Sequence, residues 1–265
     1  LLATIASFAA IAVENARRFA AEIEARRQAE AASRAKDEFL AVLGNQLRNP
    51  LVPIVTALHI IKLRGTDPFE RERSIIDRQV QQVVHLVDDL VDVSRIKRGV
   101  LQLRRAPIEL AWIVGRALEA AGPLIEERAH RISVYVPETG LAVDADLDRM
   151  TQVVANLLAN AANYTPRGGR IEVFADIEAG CARLVVRDNG AGIETELLPQ
   201  LFDPFVQHRR ASDRSDGGLG LGLSIVRSII EMHGGVVSAA SDGPGRGATF
   251  TVRLPLAGTA EIELV

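Results

Sequence analysis

Gln152-Val153-Val154-Ala155-Asn156-Leu157-Leu158-Ala159-Asn160-Ala161-Ala162-Asn163-Tyr164 reads as an amphipathic helix, and its surroundings decide the fold. Strand-like runs follow at 171–177, 182–186, 236–240 and 248–254, and another precedes it at 132–136. Helical patterns cover 111–130, 147–163 and 219–233. Such a mixture predicts an α+β layered domain with mostly antiparallel strands, starting near residue 105.

Asn156, Asn160 and Asn163 stand four and three residues apart, on one face of the helix. Asparagine is a poor helix-interior residue, because its side chain competes for backbone hydrogen bonds. Three on one stripe ask for a ligand; a solvated polar face is the plainer alternative. Carboxamide oxygens suit Mg²⁺, an ion that can also hold nucleotide phosphates.

Three glycine segments lie nearby. Asp188-Asn189-Gly190-Ala191-Gly192-Ile193 follows a strand, and Gly217-Gly218-Leu219-Gly220-Leu221-Gly222-Leu223 precedes a helix. Gly243-Pro244-Gly245-Arg246-Gly247-Ala248-Thr249-Phe250 leads into the last strand. Glycine allows positive φ and close backbone approach. A glycine loop entering a helix N-terminus offers free N–H groups to phosphate. Taken singly, the first reads equally as a hairpin turn and the second as a flexible loop. No Gly-Lys-Ser/Thr follows, so the second is not a P-loop.

The first 98 residues are of another kind, almost wholly helical. Ile5, Ala9, Ala12, Ala16, Phe19 and Ile23 form a seam that predicts a parallel coiled coil; packing within one domain is the alternative. A second stripe runs through Phe39, Leu43, Leu47, Leu51, Ile54, Leu58 and Ile61. Pro50 and Pro53 should bend that helix just beyond residue 46. Gly65-Thr66-Asp67-Pro68 stops it, and a further apolar helix runs to about Gly99. A lone hairpin would leave both apolar faces wet, so two copies should pair as a four-helix bundle.

Composition narrows the function. The net charge of −3 gives no basic field, so no nucleic-acid partner is expected. The single cysteine, Cys181, excludes an internal disulfide framework, fits a reducing cytoplasmic compartment and reads as a small buried strand residue. Residues 1–13 are apolar but are followed by Glu14, Arg17 and Arg18, too short to span a bilayer and unlike a signal peptide. The missing initiator Met suggests a piece of a longer chain, in which upstream membrane attachment remains open.

The asparagine helix and the three glycine segments, in order and spacing, resemble the N, G1, G2 and G3 boxes of the histidine-kinase ATPase domain, the Bergerat nucleotide fold. Leu201-Phe202-Asp203-Pro204-Phe205 resembles its F box. The resemblance implies ATP and Mg²⁺ as cofactors, with Asn160 on the metal and Asn156 beside it. It implies that Asp188 accepts from the adenine amine, Gly190 and Gly192 shape the pocket, and Gly218, Gly220 and Gly222 surround the phosphates. Tyr164 would border the base, Thr249 would close it, and residues 205–217 would be the ATP lid. The family usually has a basic residue where Asn163 stands. Arg209, Arg210 and Arg214 could compensate or be solvated.

Lys36-Asp37-Glu38-Phe39-Leu40-Ala41-Val42-Leu43-Gly44-Asn45-Gln46-Leu47-Arg48-Asn49-Pro50-Leu51 resembles the same family's dimerisation and phosphoacceptor helix. The implied order is a signalling coiled coil over 1–32, the hairpin over 33–98, a linker over 99–110, the α/β sandwich ATP-binding domain over 111–257 and a tail over 258–265. Implied partners are a second copy, a response-regulator receiver domain and an upstream sensory domain. The family places His at 45 and an acid at 46, where this chain has Asn45 and Gln46. An amide nitrogen has its lone pair delocalised into the carbonyl and is no substitute nucleophile. Loss of the neighbouring base alone typically costs about 10²–10⁴-fold. His59 lies almost four helical turns onward, and His85, His130, His208 and His233 read as surface, polar or packing residues. Asn49 matches the position associated with the phosphoryl group or hydrolytic water, which keeps phosphatase action open. The functional readings are an acceptor-deficient kinase core, a signalling pseudokinase, or another Bergerat ATPase such as a topoisomerase or chaperone relative; the acceptor helix argues against the last.

Overall fold

The computed structural model describes residues 50–58, 60–61, 69–98, 100–206 and 220–258. The expected coiled coil, Asn45, Gln46, Asn49, the 65–68 turn, Gly218 and most of the expected lid lie outside them. The chain divides into two compact units, 1–79 and 80–265.

In the first unit, residues 50–58 and 60–61 are helical (α1) and helix α2, Glu70–Lys97, begins. Ala57 is buried, whereas Leu51, Val52, Val55 and Leu58 are exposed. Among the described residues, no helix is long and apolar enough to cross a membrane.

The second unit starts within α2, at Val80, and contains the layered domain. Strand β1 (Ala106–Glu109) pairs antiparallel with β3 (Ala142–Ala145) in a small sheet. The other five are β2 (Arg131–Tyr135), β4 (Arg170–Glu178), β5 (Cys181–Asp188), β6 (Val236–Ala240) and β7 (Thr249–Pro255). They form one sheet in the order β2-β4-β5-β7-β6, parallel only between β2 and β4. Helices α3 (Leu110–Glu127), α4 (Leu147–Tyr164) and α5 (Gly222–Met232) make the second layer, α3 and α5 both packing on α4.

Strand alternation explains the layering. Ile171 and Val173 of β4, Leu184 and Val186 of β5, and Val252 and Leu254 of β7 are buried. They belong to the apolar core with Leu157 and Leu158 of α4 and Ile225 and Ile229 of α5. Charged residues occupy alternate positions in much of these strands, although Val185 of β5 is buried like its two neighbours. Arg183 stands directly opposite Asp176 on one side and Arg253 on the other. Like charges placed opposite each other are unfavourable; Glu178 relieves this by pairing with both arginines, at 2.7 Å and 2.6 Å.

The segment expected as a linker over 99–110 contains strand β1 at Ala106–Glu109, and Leu110 begins α3. The strand residues are extended, as the pattern around Pro107 implied. Their partner β3 is only four residues long, too short to signal a strand by alternation. Cys181, expected to be buried, is half-buried at the start of β5.

Candidate functional site

Helix α4 is fixed at both ends. Asp146 caps its start, accepting from Arg149 N–H at 3.2 Å. At its end, Thr165 N–H donates to Ala161 O at 3.1 Å. Met150, Val153, Val154, Leu157, Leu158, Ala161 and Ala162 are buried, leaving Asn156, Asn160 and Asn163 half-buried on another face. Asn156 Nδ2 faces the Gly222 carbonyl at 3.5 Å, a long contact that brings α4 to the first residue of α5.

The C-terminal end of α4 meets the turn after β5. Ala191 N–H donates to Tyr164 O at 2.9 Å. A Cβ on Gly190 would lie 2.4 Å from that same carbonyl oxygen, so no side chain fits there. Gly192 has φ +69°, and a Cβ on it would strike the Gly243 carbonyl at 2.1 Å. The third glycine segment closes onto this turn through Gly245 N–H to Ala191 O (2.6 Å) and Gly247 N–H to Gly190 O (3.1 Å). Three segments distant in sequence therefore build one rigid wall.

Asp188 lies in that wall, only 7% exposed. Its Oδ1 accepts from Gly190 N–H at 2.7 Å. Burial raises its carboxyl above the usual aspartate range, although hydrogen bonds from Gly190 and Ala248 and the nearby Thr165 hydroxyl oppose the rise. Asn189 has a local role, accepting from Arg170 N–H at 2.7 Å. Thr249 begins β7, half-buried, and Tyr164 is 39% exposed.

Gly220 and Gly222 differ in what they require. Gly220 has φ +70°, and a Cβ there would sit 2.8 Å from Val206 O. Phe205 N–H donates to Gly220 O at 3.0 Å, with Phe205 itself at φ +69°. Gly222 is the first residue of α5; a Cβ there would make only ordinary contact with Asn156 at 3.7 Å. The Phe202 ring packs edge-on against Phe250, centroids 6.4 Å apart, fixing the segment that leads to Phe205.

The sequence reading missed one cluster on α4. Arg149 Nη1 meets Asp92 Oδ2 at 2.7 Å and Gln152 Oε1 at 2.9 Å, while Gln152 Nε2 donates to Asp92 Oδ2 at 2.8 Å. Arg149 and Gln152 continue the asparagine stripe backwards by four and three residues, a spacing visible in the sequence; nothing marked Asp92 on α2. A groove of about 440 Å³ beside Trp112 and Arg116 of α3 contains none of the expected site residues. Two histidines outside the hairpin behave as expected, His130 Nε2 contacting Ala162 O at 2.9 Å and His233 being buried among backbone groups, and His208 lies outside the described residues.

Two family models match this chain. The His Kinase A (phospho-acceptor) domain covers residues 35–99, and the histidine kinase-, DNA gyrase B- and HSP90-like ATPase covers residues 145–258. Histidine protein kinase DivJ of Caulobacter vibrioides is 33% identical over 250 residues, 93% of this chain and 41% of that kinase. The chain thus spans less than half the length of this curated relative. Full-length ShkA, solved in complex with AMPPNP, matches with a TM-score of 0.61 and 26% identity, covering 84% of this chain and 47% of that one. Histidine kinase ThkA, solved in complex with response regulator protein TrrA, matches with a TM-score of 0.60 and 25% identity, covering 82% and 61%. The chain belongs to the histidine kinases, as the core of a two-component sensor kinase.

Proposed function

We propose that this chain binds Mg·ATP between α4, the Asp188 turn and the start of α5, and acts in phosphorelay signalling without phosphorylating itself at position 45. The observation that carries the nucleotide reading is the buried Asp188 carboxylate beside a glycine whose Cβ position is blocked. A carboxylate held there can accept from the exocyclic amine of adenine, while Gly190 and Gly192 keep the wall flat enough for a ring. Tyr164 and Thr249 border the base. Gly218, Gly220 and Gly222 lead the phosphates to the free N–H groups of α5. Asn160 supplies an amide oxygen to the metal, with Asn156 and Asn163 along the same stripe. Among the described residues, no group of three or more His, Cys, Asp or Glu could hold an ion. One amide oxygen together with phosphate oxygens and water is a donor set that suits Mg²⁺. The metal would neutralise phosphate charge; the chain's residues bind and orient the nucleotide.

Autophosphorylation requires a nitrogen lone pair to form a bond to the γ-phosphorus as the bond to the ADP oxygen breaks. Neither Asn45 nor Gln46 provides a nucleophile or a proton acceptor. The domain order 1–32, 33–98, 99–110, 111–257 and 258–265 is retained as a proposal, with the linker shortened by β1. A second copy would complete the hairpin bundle, a receiver domain would dock on it, and an upstream sensory domain would drive it. The ThkA complex supports the receiver-domain partner. The single cysteine supports a cytoplasmic setting. Asn49 favours a second reading, in which the chain regulates a partner kinase or receiver as a pseudokinase or phosphatase.

The test incubates the chain and its Asn45→His/Gln46→Glu variant with γ-labelled ATP. Acid-labile label on the variant alone is expected. Label on the unchanged chain would sink the acceptor argument, and failure of both to bind nucleotide would sink the site.

A further inference from the structure

Behind Asp188 lies a second oxygen that the nucleotide reading does not use. Thr165 is 2% exposed, and its Oγ1 makes no hydrogen bond of good geometry among the described residues. Its direction is set by two glycines. A Cβ on Gly169 would lie 2.2 Å from the Thr165 methyl, so the methyl fills the space that Gly169 leaves open. A Cβ on Gly190 would lie 2.8 Å from both Thr165 Oγ1 and Asp188 Oδ1, so the hydroxyl and the carboxylate converge on one point. Both Tyr164 and Thr165 belong to the turn that ends α4, and the Tyr164 carbonyl anchors the Asp188 turn through Ala191.

A buried hydroxyl without a partner is unfavourable, and valine would fill the same volume without that penalty. The hydroxyl therefore has a use at this site. Its neighbouring acceptor is the Asp188 carboxylate, which has two oxygens and room for further donors once Gly190 N–H is counted. We propose that Thr165 is a positioning residue for base recognition: its hydroxyl donates to Asp188 and aims the carboxylate at the exocyclic amine of the purine. This rests on the nucleotide reading of the pocket. Thr165 then acts through Asp188, so its effect should appear only with a base that carries the amine.

The test measures affinities of the full chain for ATP and for purine-riboside triphosphate, which lacks that amine. Thr165→Val should weaken ATP about tenfold while leaving the amine-free nucleotide within about twofold, as expected for losing one hydrogen bond to a charged group. Thr165→Ser, which keeps the hydroxyl, should restore ATP binding. Thr165→Ala provides the same comparison should the valine variant fail to fold. Equal weakening of both nucleotides would reduce Thr165 to a packing residue and overturn the proposal, as would unchanged ATP affinity. If the unsubstituted chain binds neither nucleotide, the site reading itself has failed and the proposal with it.

Discussion

Asp188 carries a conflict between folding and binding. Burial raises its carboxyl pKa, so the folded chain holds that proton more tightly than the unfolded chain does. The stabilisation it gives is full below the unfolded pKa and is lost as pH rises through the folded one. At neutral pH the charged side chain therefore lowers stability, and its retention makes sense only if the charge is needed. Asp188→Asn is expected to raise the melting temperature of the nucleotide-free protein and to abolish ATP binding, because an amide donor would face the base amine. A lower melting temperature would show that the carboxylate stabilises the fold after all. In the unchanged protein, ATP binding should fail on acidification at a pH above that of an ordinary aspartate. The sequence marked Asp188 and its glycines well, because blocked Cβ positions demand glycine wherever they occur. It left Thr165 unmarked, since a threonine after a helix looks the same whether its hydroxyl meets water or a buried carboxylate.

Among the secondary-structure elements, α4 connects most of what matters. Its polar stripe runs Arg149, Gln152, Asn156, Asn160, Asn163, from the Asp92 cluster to the nucleotide end. The Arg149 and Asp92 side chains are 23% and 10% exposed, so removing either partner strands a largely desolvated charge. Asp92→Ala should cost about 2–3 kcal/mol, below the range for a fully buried pair because Arg149 keeps some contact with water. Denaturant titration should also give Asp92→Ala/Arg149→Ala a cost smaller than the sum of the single changes. A second junction joins α4, α5 and the linker. Asp146 Oδ2 accepts from Arg104 N–H at 2.8 Å, and the Arg105 side chain donates to Met232 O. His233 Nε2 accepts from Asp146 N–H at 3.0 Å while Nδ1 donates to Ile229 O at 2.7 Å. A backbone N–H can only donate, so this ring is neutral. Burial first, then Arg105, lowers its pKa, against the Ile229 carbonyl, Asp146 and Asp144. The stability this gives is present above the unfolded value, near 6.5, and is lost as pH falls through the folded one. His233→Gln should flatten the decline in melting temperature that this linkage gives as pH falls below about 6.5. Helices α3, α4 and α5 and the strands of the large sheet were legible from period alone, whereas these junctions were not. They join residues such as Asp92 and Gln152, sixty positions apart, and periodicity reports only neighbours.

For the whole molecule, α2 presents an exposed apolar seam. Val80, Val84, Val87 and Val91 recur at helical spacing and are each at least 40% exposed. A second copy is the occupant proposed for it, since a four-helix bundle would take these side chains out of water. Val84→Glu/Val87→Glu should shift the protein from dimer to monomer in sedimentation, with the Asp188 pocket still able to bind ATP. A dimer that survives both charges would move the interface elsewhere. The passage from helical stripes to strands and glycine turns near residue 105 is visible in the sequence, whereas the two compact units divide within α2, between residues 79 and 80. The small β1–β3 sheet escaped because each strand has only four residues. One feature of the nucleotide unit has a use in engineering. Phe205 and Gly220 are joined by a hydrogen bond, so two points fifteen positions apart in the sequence meet. Closure cost rises only about 0.6 kcal/mol per doubling of the enclosed length once the ends are held together. A fluorescent reporter inserted between Phe205 and Gly218 should therefore leave Asp188, Gly190 and Gly192 in register, because that wall is built by other segments.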